Sequence, residues 1–558
     1  MIDYLDFKEV RCKNCYKCLK ECPVKAIRIE NHQARIIKDR CILCGRCTLV
    51  CPQNAKIVAS DMDKIKNLLK EKKVIASVAP SFVSNFNIKT FSAMNNALKK
   101  LGFVMAEETA RGARVVSAKY HELIKEGNYK NLISSCCPSA VKLIEMYYPE
   151  ALKYLAPVDS PIIAHAKLLK KEYPDYSVVF IGPCISKKRE CDESGLVDAV
   201  MSFEELDELF KENNIELIDS DDNDNHYNLG RFYPISRGII KSFEELDNSY
   251  VYIAVDGVER CKEVLQEIDE LENVFLEINT CRSSCIGGPC SINRKSSSVI
   301  GNAKVRNYVQ DHKTIKAKDD DLNIDVSSNY EKINLKDKEF SEDDIQRILN
   351  MTGKFKKEDE LNCGACGYES CRQKAWAVLN GFADINMCLP YMREKAESLS
   401  NEIMKNTPNG ILVLDNEYRI IEINDKGKEF LDIDSLDLGN DSIYQYVSEV
   451  DNILEHIENK TNAIGQKMHV GNRYLEYSIT YISEQNIFLL VIKDITDKTN
   501  YERQLEQITL DTLSVTDEVI NKQMRVVQEV ASLLGEATAE TKIALINLKN
   551  TLKDESDE

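Results

Sequence analysis

Apolar and polar residues follow two alternating patterns along the middle of the chain. Short apolar runs predict buried strands at VIASVAP, NLISS, SVVFIG, YVYIAV and NVFLEI. Between these runs, apolar residues recur at helical spacing in MNNALKKLGF, IIAHAKLLKKEY, FEELDELFKEN and RCKEVLQEIDEL, and residues 62–72 predict a connecting helix. Because strand and helix patterns take turns, the region to about residue 310 is predicted to be an α/β domain with largely parallel sheets.

The pattern changes twice in the later part of the sequence. Residues 400–497 predict short strands separated by turns, at GILVLD, RIIEIN, KMHVG, RYLEYSITYI and NIFLLVIKDIT. After Asp497 the chain is predicted to be helical, with charges on one face and an apolar face formed by Leu505, Ile508, Leu513, Val515, Val519 and Ile520. Such a helix either needs a partner helix or packs on its own domain.

Length and charge narrow the class of protein. A chain of 558 residues exceeds the size of one core, so several domains are expected. The net charge of −18 leaves no basic surface for nucleic acid, and no run of about 18 apolar residues predicts a membrane span. The first residues, MIDYLDFKEV, lack the basic and apolar parts of a signal peptide. With 20 cysteines, the chain is expected in a reducing cytoplasm, as in an anaerobe.

The first cysteines have the spacing of iron–sulfur ligands. Two runs of the form C-x2-C-x2-C-x3-C-P follow one another, the bacterial two-cluster ferredoxin pattern. In this pattern the fourth cysteine of each run ligates the other cluster. One [4Fe–4S] cluster is therefore predicted on Cys12, Cys15, Cys18 and Cys51, and the other on Cys41, Cys44, Cys47 and Cys22.

Five more cysteines lie at predicted strand ends in the α/β region. They occur in SSCCPSA (Cys136, Cys137), GPCISKKRE (Cys184) and LEINTCRSSCIGG (Cys281, Cys285). A single buried cysteine is usually a small apolar filler, and this is the prediction for Cys191, Cys261 and Cys290. Three motifs in order beside a ferredoxin module instead indicate a metal centre, because Cys137, Cys184, Cys281 and Cys285 can supply the four thiolates of one cubane.

These three motifs resemble the H-cluster loops of the [FeFe]-hydrogenase family. In that family a cubane is joined through one cysteine to a diiron unit with carbon monoxide, cyanide and azadithiolate ligands. The resemblance implies that Cys285 is the bridging ligand, that Cys136 passes protons to the bridging amine, and that Lys187 donates to a cyanide. It also implies roles near the cluster for Glu190, Glu277 and the backbone of Ala79, Pro80 and Ser81.

The sequence departs from the family's catalytic members at several positions. Gly182 and Asn279 stand where those members usually have methionines that wall the diiron site. Smaller or polar walls change solvation and hydrogen bonding at a metal centre. Beyond Cys136 the relay acids are hard to place, since Glu122 is a weak candidate and Lys119 stands where an acid is expected. These departures resemble the sensory branch of the family and predict low turnover.

A third cysteine group follows the α/β region. Cys363, Cys366, Cys371 and Cys388 are spaced C-x2-C-x4-C-x16-C, similar to the small [4Fe–4S] domain of corrinoid iron–sulfur proteins and Rnf-complex subunits. Gly364 and Gly367 are predicted to let backbone amides approach the sulfides. Zinc is the alternative for four cysteines, but the upstream cluster motifs favour another cubane. Its place in the sequence suggests an electron path toward the C-terminal region.

The strand-rich region near the end resembles a PAS domain. NGILVLD, RIIEIND with Asn424, and a last strand ending in Asp494, Ile495 and Thr496 carry the resemblance, and the exit into a helix is how PAS domains join signalling coiled coils. Its ligand stays open. No histidine-kinase phosphoacceptor motif or ATP-binding glycine box follows. The output is therefore expected to reach a separate protein, such as a phosphatase or kinase.

The resulting prediction is a multidomain α/β chain. Its parts are a two-cluster ferredoxin domain (1–60), an H-cluster domain (62–314), a linker (315–344), a [4Fe–4S] domain (345–395), a PAS domain (398–498) and a signalling helix with an acidic tail (499–558). The predicted function is slow, reversible hydrogen oxidation coupled to signalling. The expected partners are ferredoxin or another redox protein and a separate signalling protein, and the expected assembly is a homodimer. A ferredoxin-dependent catalytic hydrogenase and a redox sensor without the diiron unit are the alternatives.

Overall fold

A computed structural model describes residues 4–7, 11–31, 33–219, 229–293, 298–310, 319–335, 337–447 and 451–554. The chain divides into two compact units, Met1–Met392 and Arg393–Glu558. Within the described ranges, no helix has both the length and the hydropathy needed to cross a bilayer.

The first part of unit one is built from two short halves around the first cysteine runs. Its elements are β1 (Leu5–Phe7), α1 (Lys17–Lys20), β2 (Ile27–Glu30), β3 (Gln33–Ile36), α2 (Arg46–Val50) and β4 (Lys56–Val58). Strands β1 and β4 pair antiparallel, and β2 and β3 form a second antiparallel pair. The elements are too short for a sizeable hydrophobic core, so metal binding is expected to stabilise this module.

The predicted α/β region alternates strands and helices as expected. Its first half contains α3 (Met62–Glu71), β5 (Val74–Val78), α4 (Phe82–Asn85), α5 (Phe91–Lys100), β6 (Met105–Glu108), α6 (Ala110–Glu126), β7 (Asn131–Ile133), α7 (Pro138–Tyr147) and α8 (Pro161–Glu172). Its second half contains β8 (Ser177–Gly182), α9 (Ser186–Ser194), β9 (Ala199–Ser202), α10 (Phe203–Glu212), α11 (Gly238–Lys241), β10 (Val251–Asp256), α12 (Val258–Gln266), β11 (Val274–Asn279) and α13 (Ser298–Gln310).

The strands of this region form two sheets, ordered β6-β5-β8-β9 and β10-β11-β7. Every pairing within them is parallel, which confirms the predicted α/β class. Helices cover the sheets and bury strands such as β8 and β11 along their whole length. Parallel strands put their carboxyl ends at one edge, and loops at that edge are where α/β proteins bind ligands. The cysteine loops follow β7, β8 and β11 at this edge.

The segment predicted to be a linker is attached to the α/β domain in its described part. Ser327 forms an isolated antiparallel β-bridge with Val158, and the amide of Ile333 donates to the Glu145 carbonyl at 2.9 Å. Val326 is buried in the domain's core, and Asp321 forms an ion pair with Arg111 at 2.7 Å. The prediction of a free linker is therefore wrong for residues 319–335, because spaced apolar residues in this polar stretch pack into the core. Residues 315–318 lie outside the described ranges.

The third cysteine group lies in a small helical domain that is also part of unit one. Its elements are α14 (Glu342–Asn350), α15 (Cys371–Leu379) and the start of α16 (Leu389–Asn406). Helix α14 begins at a capping box, in which Ser341 and Asp344 satisfy each other's backbone amides. The cysteines lie before α15, at its first residue and before α16.

Unit two contains an antiparallel sheet followed by a long helix. The strands are β12 (Gly410–Leu414), β13 (Ile420–Ile423), β14 (Ala463–Val470), β15 (Arg473–Ile482) and β16 (Ile487–Asp494), ordered β13-β12-β16-β15-β14. Helices α17 (Asp425–Phe430) and α18 (Asp451–Glu458) connect them, and α19 runs from Thr496 to Asp554. The helical structure predicted after Asp497 is therefore present, and the helix begins at Thr496. The rest of the acidic tail lies outside the described residues.

Candidate functional site

One cavity at the carboxyl ends of β5, β7, β8 and β11 brings the central cysteines together. It contains about 920 Å³ of empty space, part of it open to solvent. Its walls include Cys137, Cys184, Cys281 and Cys285, the four ligands predicted for the central cubane. Cys136 lines the same cavity.

Local backbone geometry turns these cysteines toward the cavity. Cys137 immediately precedes α7, and Pro138 occupies the first helical position, where a missing amide proton costs nothing. Cys285 lies in the short 3₁₀ turn Ser284–Gly287, entered through left-handed residues Ser283 and Ser284 at φ 64° and 56°. A Cβ on Gly287 would lie 1.9 Å from the Arg282 carbonyl oxygen, so this tight turn requires glycine there.

The thiols of the cavity suit metal binding. Burial raises the pKa of Cys184 and Cys281, and the proximity of the other cysteines adds to the shift. Free protein therefore keeps these groups as neutral thiols. An iron cluster needs thiolates, so its binding would release protons and offset the cost of burying several sulfurs together.

Polar groups on the cavity wall also fit an anionic metal centre. The Lys187 ammonium donates to Ser160 Oγ and Glu190 Oε2, each at 2.8 Å, and to the Cys136 carbonyl at 3.3 Å. Burial lowers the pKa of Lys187, but the Glu190 carboxylate outweighs this and leaves it raised. Ser81 Oγ is fully buried and, among the described atoms, has no hydrogen-bond partner. A buried orphan hydroxyl is costly, and a polar ligand in the cavity would satisfy it.

The wall at Gly182 differs from the sequence-based expectation. A Cβ on Gly182 would lie 2.7 Å from Phe180 Cζ and 3.2 Å from the Ala79 Cβ. Phe180 itself lines the cavity beside Ala79 and Pro80. The Phe180 ring therefore lies where the methionine side chain of the family's catalytic members is expected. The cavity wall at Gly182 is apolar, although the residue itself is small.

The wall at Asn279 is polar, as the sequence predicts. Asn279 lines the cavity, and its side-chain amide lies 3.4 Å from Ser284 Oγ. Thr280 also lines the cavity, with its hydroxyl 3.6 Å from the Cys137 sulfur. These groups place hydrogen-bonding atoms next to the ligand sulfurs, where they would tune a metal centre's potential.

Two tyrosines that no motif indicated surround Cys136. The Tyr120 hydroxyl lies 3.2 Å from the Cys136 sulfur and accepts the Ser135 amide at 2.8 Å. Tyr233 lines the cavity and also hydrogen-bonds to Cys136. Burial raises the pKa of Cys136 to about 12, while the tyrosine hydrogen bonds and Lys187 act in the opposite direction. Cys136 is thus a neutral thiol held between two hydroxyl groups.

The Tyr233 hydroxyl is itself in contact with further hydroxyl groups. Its oxygen lies 2.7 Å from Ser117 Oγ, which lies 2.6 Å from Ser242 Oγ. Both serines are buried. Glu122, the weak relay candidate of the sequence, lies instead at the surface in an ion pair with Lys119 at 2.9 Å. The groups in direct contact with the Cys136 sulfur are therefore hydroxyls, while the Glu277 carboxyl lies near enough for its charge to raise the pKa of Cys136.

The two acids implied by the family resemblance have clear contacts. Glu190 is the ion-pair partner of Lys187. Glu277 is buried and accepts the backbone amides of Gly238, Ile239 and Ile240 at 3.0–3.1 Å. Burial raises the pKa of Glu277 to about 7, against the effect of these amides. Glu277 thereby fixes the start of α11, close to the segment that carries Tyr233.

The second ferredoxin ligand set lies against the central cavity. Burial raises the pKa of Cys44 and Cys47, and Cys22 and Cys41 are among the charges that raise both pKa values further. The four sulfurs therefore lie near one another, and Cys44 also lines the central cavity. Gly45, at φ 70°, packs against Pro289. A Cβ added to Gly45 would lie 2.4 Å from the Pro289 Cβ, so this close contact requires glycine.

In the other ferredoxin set, Cys51 of the second run lies near Cys18 of the first run. Burial raises the pKa of Cys18, and Cys12 and Cys51 are charges that contribute to the shift. Cys15 is exposed. Backbone amides donate to the fourth cysteine of each run, Ala26 to Cys22 at 3.2 Å and Ala55 to Cys51 at 3.4 Å. Amide–sulfur bonds of this kind help to set cluster potentials.

The third cysteine group lines a separate pocket. Cys363, Cys366, Cys371 and Cys388 all contribute to its wall, together with the lysines Lys354 and Lys374. Both lysines are buried, and the Lys354 ammonium lies 3.4 Å from the Cys388 sulfur. Among the described residues, no three cysteine, histidine or acidic side chains converge on a single-ion position. The sulfurs surround a space, and the two ammonium groups complement the negative charge that a thiolate-bound cluster would bring.

The remaining cysteines are buried packing residues. Cys191, Cys261 and Cys290 are almost fully buried and do not line the central cavity. The Cys261 thiol donates to the Asn279 carbonyl at 3.3 Å. Their environment agrees with the structural role that the sequence predicts for them.

Comparison with protein families gives three matches along the chain. Residues 72–289 match the family described as iron only hydrogenase large subunit, C-terminal domain. Residues 11–55 match the 4Fe-4S dicluster domain, and residues 359–390 match a family described as an Fe-S cluster. The matched ranges contain the ferredoxin runs, the central cavity cysteines and the third cysteine group.

Several individual relatives are hydrogenases. Iron hydrogenase 1 of Clostridium pasteurianum is 26% identical over 383 residues, covering 48% of this chain and 67% of that protein. The NADP-reducing hydrogenase subunit HndD of Solidesulfovibrio fructosivorans is 24% identical over 322 residues, covering 44% and 55%. The solved [FeFe]-hydrogenase HydA1 from Chlamydomonas reinhardtii is 17% identical with a TM-score of 0.37, covering 46% of this chain and 91% of that one. The chain thus spans 67% and 55% of the two curated relatives.

Proposed function

Because this chain is a member of the [FeFe]-hydrogenase family, we propose that it reacts slowly and reversibly with hydrogen at an H-cluster and signals the result. The observation that carries the proposal is the cavity, where four cysteines, the Lys187 ammonium and the unpartnered Ser81 hydroxyl face one space. Cys44 of the adjoining ferredoxin set lines the same space, so an electron acceptor lies next to it.

The residues of the cavity divide into ligands and donors. Cys137, Cys184 and Cys281 would hold the cubane, and Cys285 would join it to the diiron unit. When bound, the diiron unit supplies the metal centre at which hydrogen is split into protons and electrons. Lys187 is held by Ser160 and Glu190 so that its ammonium faces the cavity, and Lys187 and Ser81 would donate to the anionic ligands.

Proton movement is assigned to Cys136 and the hydroxyl groups behind it. Cys136 is buried, neutral and in contact with Tyr120 and Tyr233. The Tyr120 side leads to Ser135, whose hydroxyl donates to the Val158 carbonyl. The Tyr233 side continues through Ser117 to Ser242, whose hydroxyl donates to the Ile239 carbonyl. Both sides consist of hydroxyl groups rather than acids, which supports the proposal of slow turnover.

The hydrogen reaction is tested by exposing the full-length protein to hydrogen. Protein produced with the enzymes that build the diiron unit is expected to lose visible cluster absorbance under hydrogen, because electrons reach the clusters. Protein with cubanes only is the control and should not change. Absence of bleaching in both would favour the redox sensor without a diiron unit, and rapid multiple turnover would favour a ferredoxin-dependent hydrogenase.

The signalling half of the proposal rests on unit two. Its strand order, with the first strand between the second and the last, supports a PAS-type sheet. Asn424 accepts the amides of Ile411 and Gly427, each at 2.8 Å, and so joins β12 to the start of α17. Thr496 accepts the Tyr474 amide at 2.9 Å, which anchors the beginning of α19 on β15. A change in the sheet would therefore be passed to the helix.

Helix α19 is the proposed output. Its apolar residues are exposed along its length, Ile508 for example at 61%. A stripe of this kind is stable in water when a second helix covers it. We therefore propose that α19 forms a homodimer and presents a surface to a separate signalling protein, a phosphatase or kinase.

Truncation after Asp497 is expected to leave cluster content unchanged, because every proposed ligand lies before residue 389. It is expected to abolish dimerisation, since it removes the apolar stripe of α19. Light scattering of full-length and truncated protein, with iron analysis of both, measures the two effects. Equal masses for the two proteins would contradict the role of α19.

A further inference from the structure

The small domain with the third cysteine group packs on the ferredoxin module within unit one. Its buried residues Tyr368 and Met387 share a hydrophobic core with Leu19 of α1. Cys18 belongs to that core, and Cys22 and Cys366 pack at its margin. The Cys363 set therefore adjoins the ferredoxin ligand sets, and its cysteines are not among the walls of the central cavity.

Gly367 lies at the closest approach of the two parts. It adopts φ 90°, and a Cβ there would lie 3.0 Å from Leu19 Cγ and 3.2 Å from the Lys20 backbone nitrogen. The glycine allows the loop beside Cys366 to touch the backbone of α1. The sequence predicted that Gly367 lets backbone amides approach the sulfides. In the structure this glycine also allows the loop to pack against α1 of the ferredoxin module.

A lysine spans this contact. The Lys25 ammonium donates to the Gly367 carbonyl at 2.9 Å and to the Lys20 carbonyl at 3.1 Å. Burial lowers its pKa, while the charges of Glu369, Cys22 and Cys366 act in the opposite direction. The Lys25 ammonium therefore lies at the contact between the Cys366 loop and the ferredoxin module, with Lys262 as a second positive charge nearby.

A second contact adjoins another ligand of the same ferredoxin set. Arg40, which directly precedes Cys41, packs its guanidinium 5.5 Å from the ring centres of both Trp376 and Phe382 in the small domain. The Arg40 carbonyl accepts the Tyr147 hydroxyl at 2.7 Å, which ties this point to the α/β domain. Both contacts thus hold the small domain beside the cluster set of Cys22 and Cys41.

We propose that the cluster on Cys363, Cys366, Cys371 and Cys388 exchanges electrons directly with the ferredoxin cluster on Cys22, Cys41, Cys44 and Cys47, across the Lys25–Gly367 contact. One electron leaves the reduced cluster and enters the oxidised one, with no bond made or broken. Because Cys44 also lines the central cavity, this ferredoxin cluster is a branch point with one arm to the small domain. The inference rests on the proposed cluster contents but not on hydrogen reactivity.

The test uses chemically reduced full-length protein that carries cubanes but no diiron unit. Spin coupling between the two clusters is measured by EPR in a Cys15→Ala background, which removes the coupling that the first ferredoxin cluster contributes. Adding Cys371→Ala identifies the part of the coupling that involves the small domain. That part is expected to be present in the background protein and lost with Cys371→Ala.

Gly367→Ala is expected to weaken this coupling with iron content unchanged, because the added methyl crowds Leu19 and the Lys20 backbone and is strained at φ 90°, so that the loop shifts relative to α1. Gly381→Ala is the matched control, since Gly381 also has a positive φ, 74°, but no atom within 4 Å of its Cβ position. The chain's single tryptophan, Trp376, reports by fluorescence whether the interface has opened. Unchanged coupling in an opened interface, or no small-domain coupling in the background protein, would overturn the proposal.

A second variant keeps the test decisive if Gly367→Ala loses iron. Lys25→Met removes a positive charge at this contact and is expected to lower the midpoint potentials of both clusters, since that charge favours their reduced forms. The cluster on Cys12, Cys15, Cys18 and Cys51 is the internal reference. A shift confined to one of the two bordering clusters, or no shift, would contradict the shared interface.

Discussion

Cys285→Ala is expected to remove the carbon monoxide and cyanide infrared bands of the loaded protein completely. Cys285 faces the central cavity from the 3₁₀ turn after Cys281. In the proposed site it is the protein's covalent link to the diiron unit, so alanine leaves that unit without a ligand. The measurement is infrared spectroscopy of protein produced with the enzymes that build the diiron unit.

The same variant should leave the ferredoxin clusters in place, because their cysteines lie in a separate module. EPR of the reduced variant is the control and should show the signals of both ferredoxin clusters. Persistent carbon monoxide and cyanide bands in Cys285→Ala would mean that the unit is held elsewhere, and the ligand assignment would then be wrong.

Cys136→Ala is expected to lower hydrogen turnover by about tenfold or more, since a positioned proton-transfer group typically contributes about 10²–10⁴-fold. Cys136 lines the cavity between Tyr120 and Tyr233 but belongs to no ligand set. Iron content and infrared bands should therefore stay unchanged while turnover falls. Turnover is measured by hydrogen uptake with an artificial electron acceptor.

Cys191→Ala is the matched control for Cys136→Ala. Cys191 is also a fully buried thiol, but it does not line the cavity. Its replacement removes the same atom from the protein interior without touching the proposed proton path. Equal turnover in both variants would show that protons reach the site by another route.

The ligand sets could be predicted because their spacing is set by the chemistry of the cluster. Four thiolates must reach one cube, and this restricts cysteines such as Cys137 and Cys184 to the loops after buried strands. The strands themselves follow from short apolar runs between helical patterns. The α/β fold therefore needed only local information, whereas the cavity cysteines were assigned to one site by three separate motifs occurring in order beside a ferredoxin module.

The walls of the cavity depended on contacts that the sequence did not make obvious. Phe180 fills the space beside Gly182 because residues two apart in a strand point to the same side. That period-two signal was available and could have indicated Phe180. Tyr233 could not be found in this way, since it comes from a segment without a motif and reaches Cys136 only through tertiary packing.

Contacts that the sequence does not reveal occur in two places. Residues 319–335 are polar overall, yet Val326 is buried in the α/β domain and so converts a predicted linker into an attached segment. Gly367 was interpreted from its neighbouring cysteines, whereas its closest contacts are with Leu19 and Lys20 of the ferredoxin module. Contacts between distant segments of this kind are fixed by the fold and not by spacing.

The infrared spectrum of the full-length protein tests the central claim most directly. Protein produced with the enzymes that build the diiron unit should show carbon monoxide and cyanide bands, and these bands should be absent from protein that carries cubanes only. The bands are expected to change under hydrogen, because the proposed unit would lie in the cavity that Cys44 also lines. A loaded set of cubanes with no carbon monoxide or cyanide bands would contradict an H-cluster in this protein.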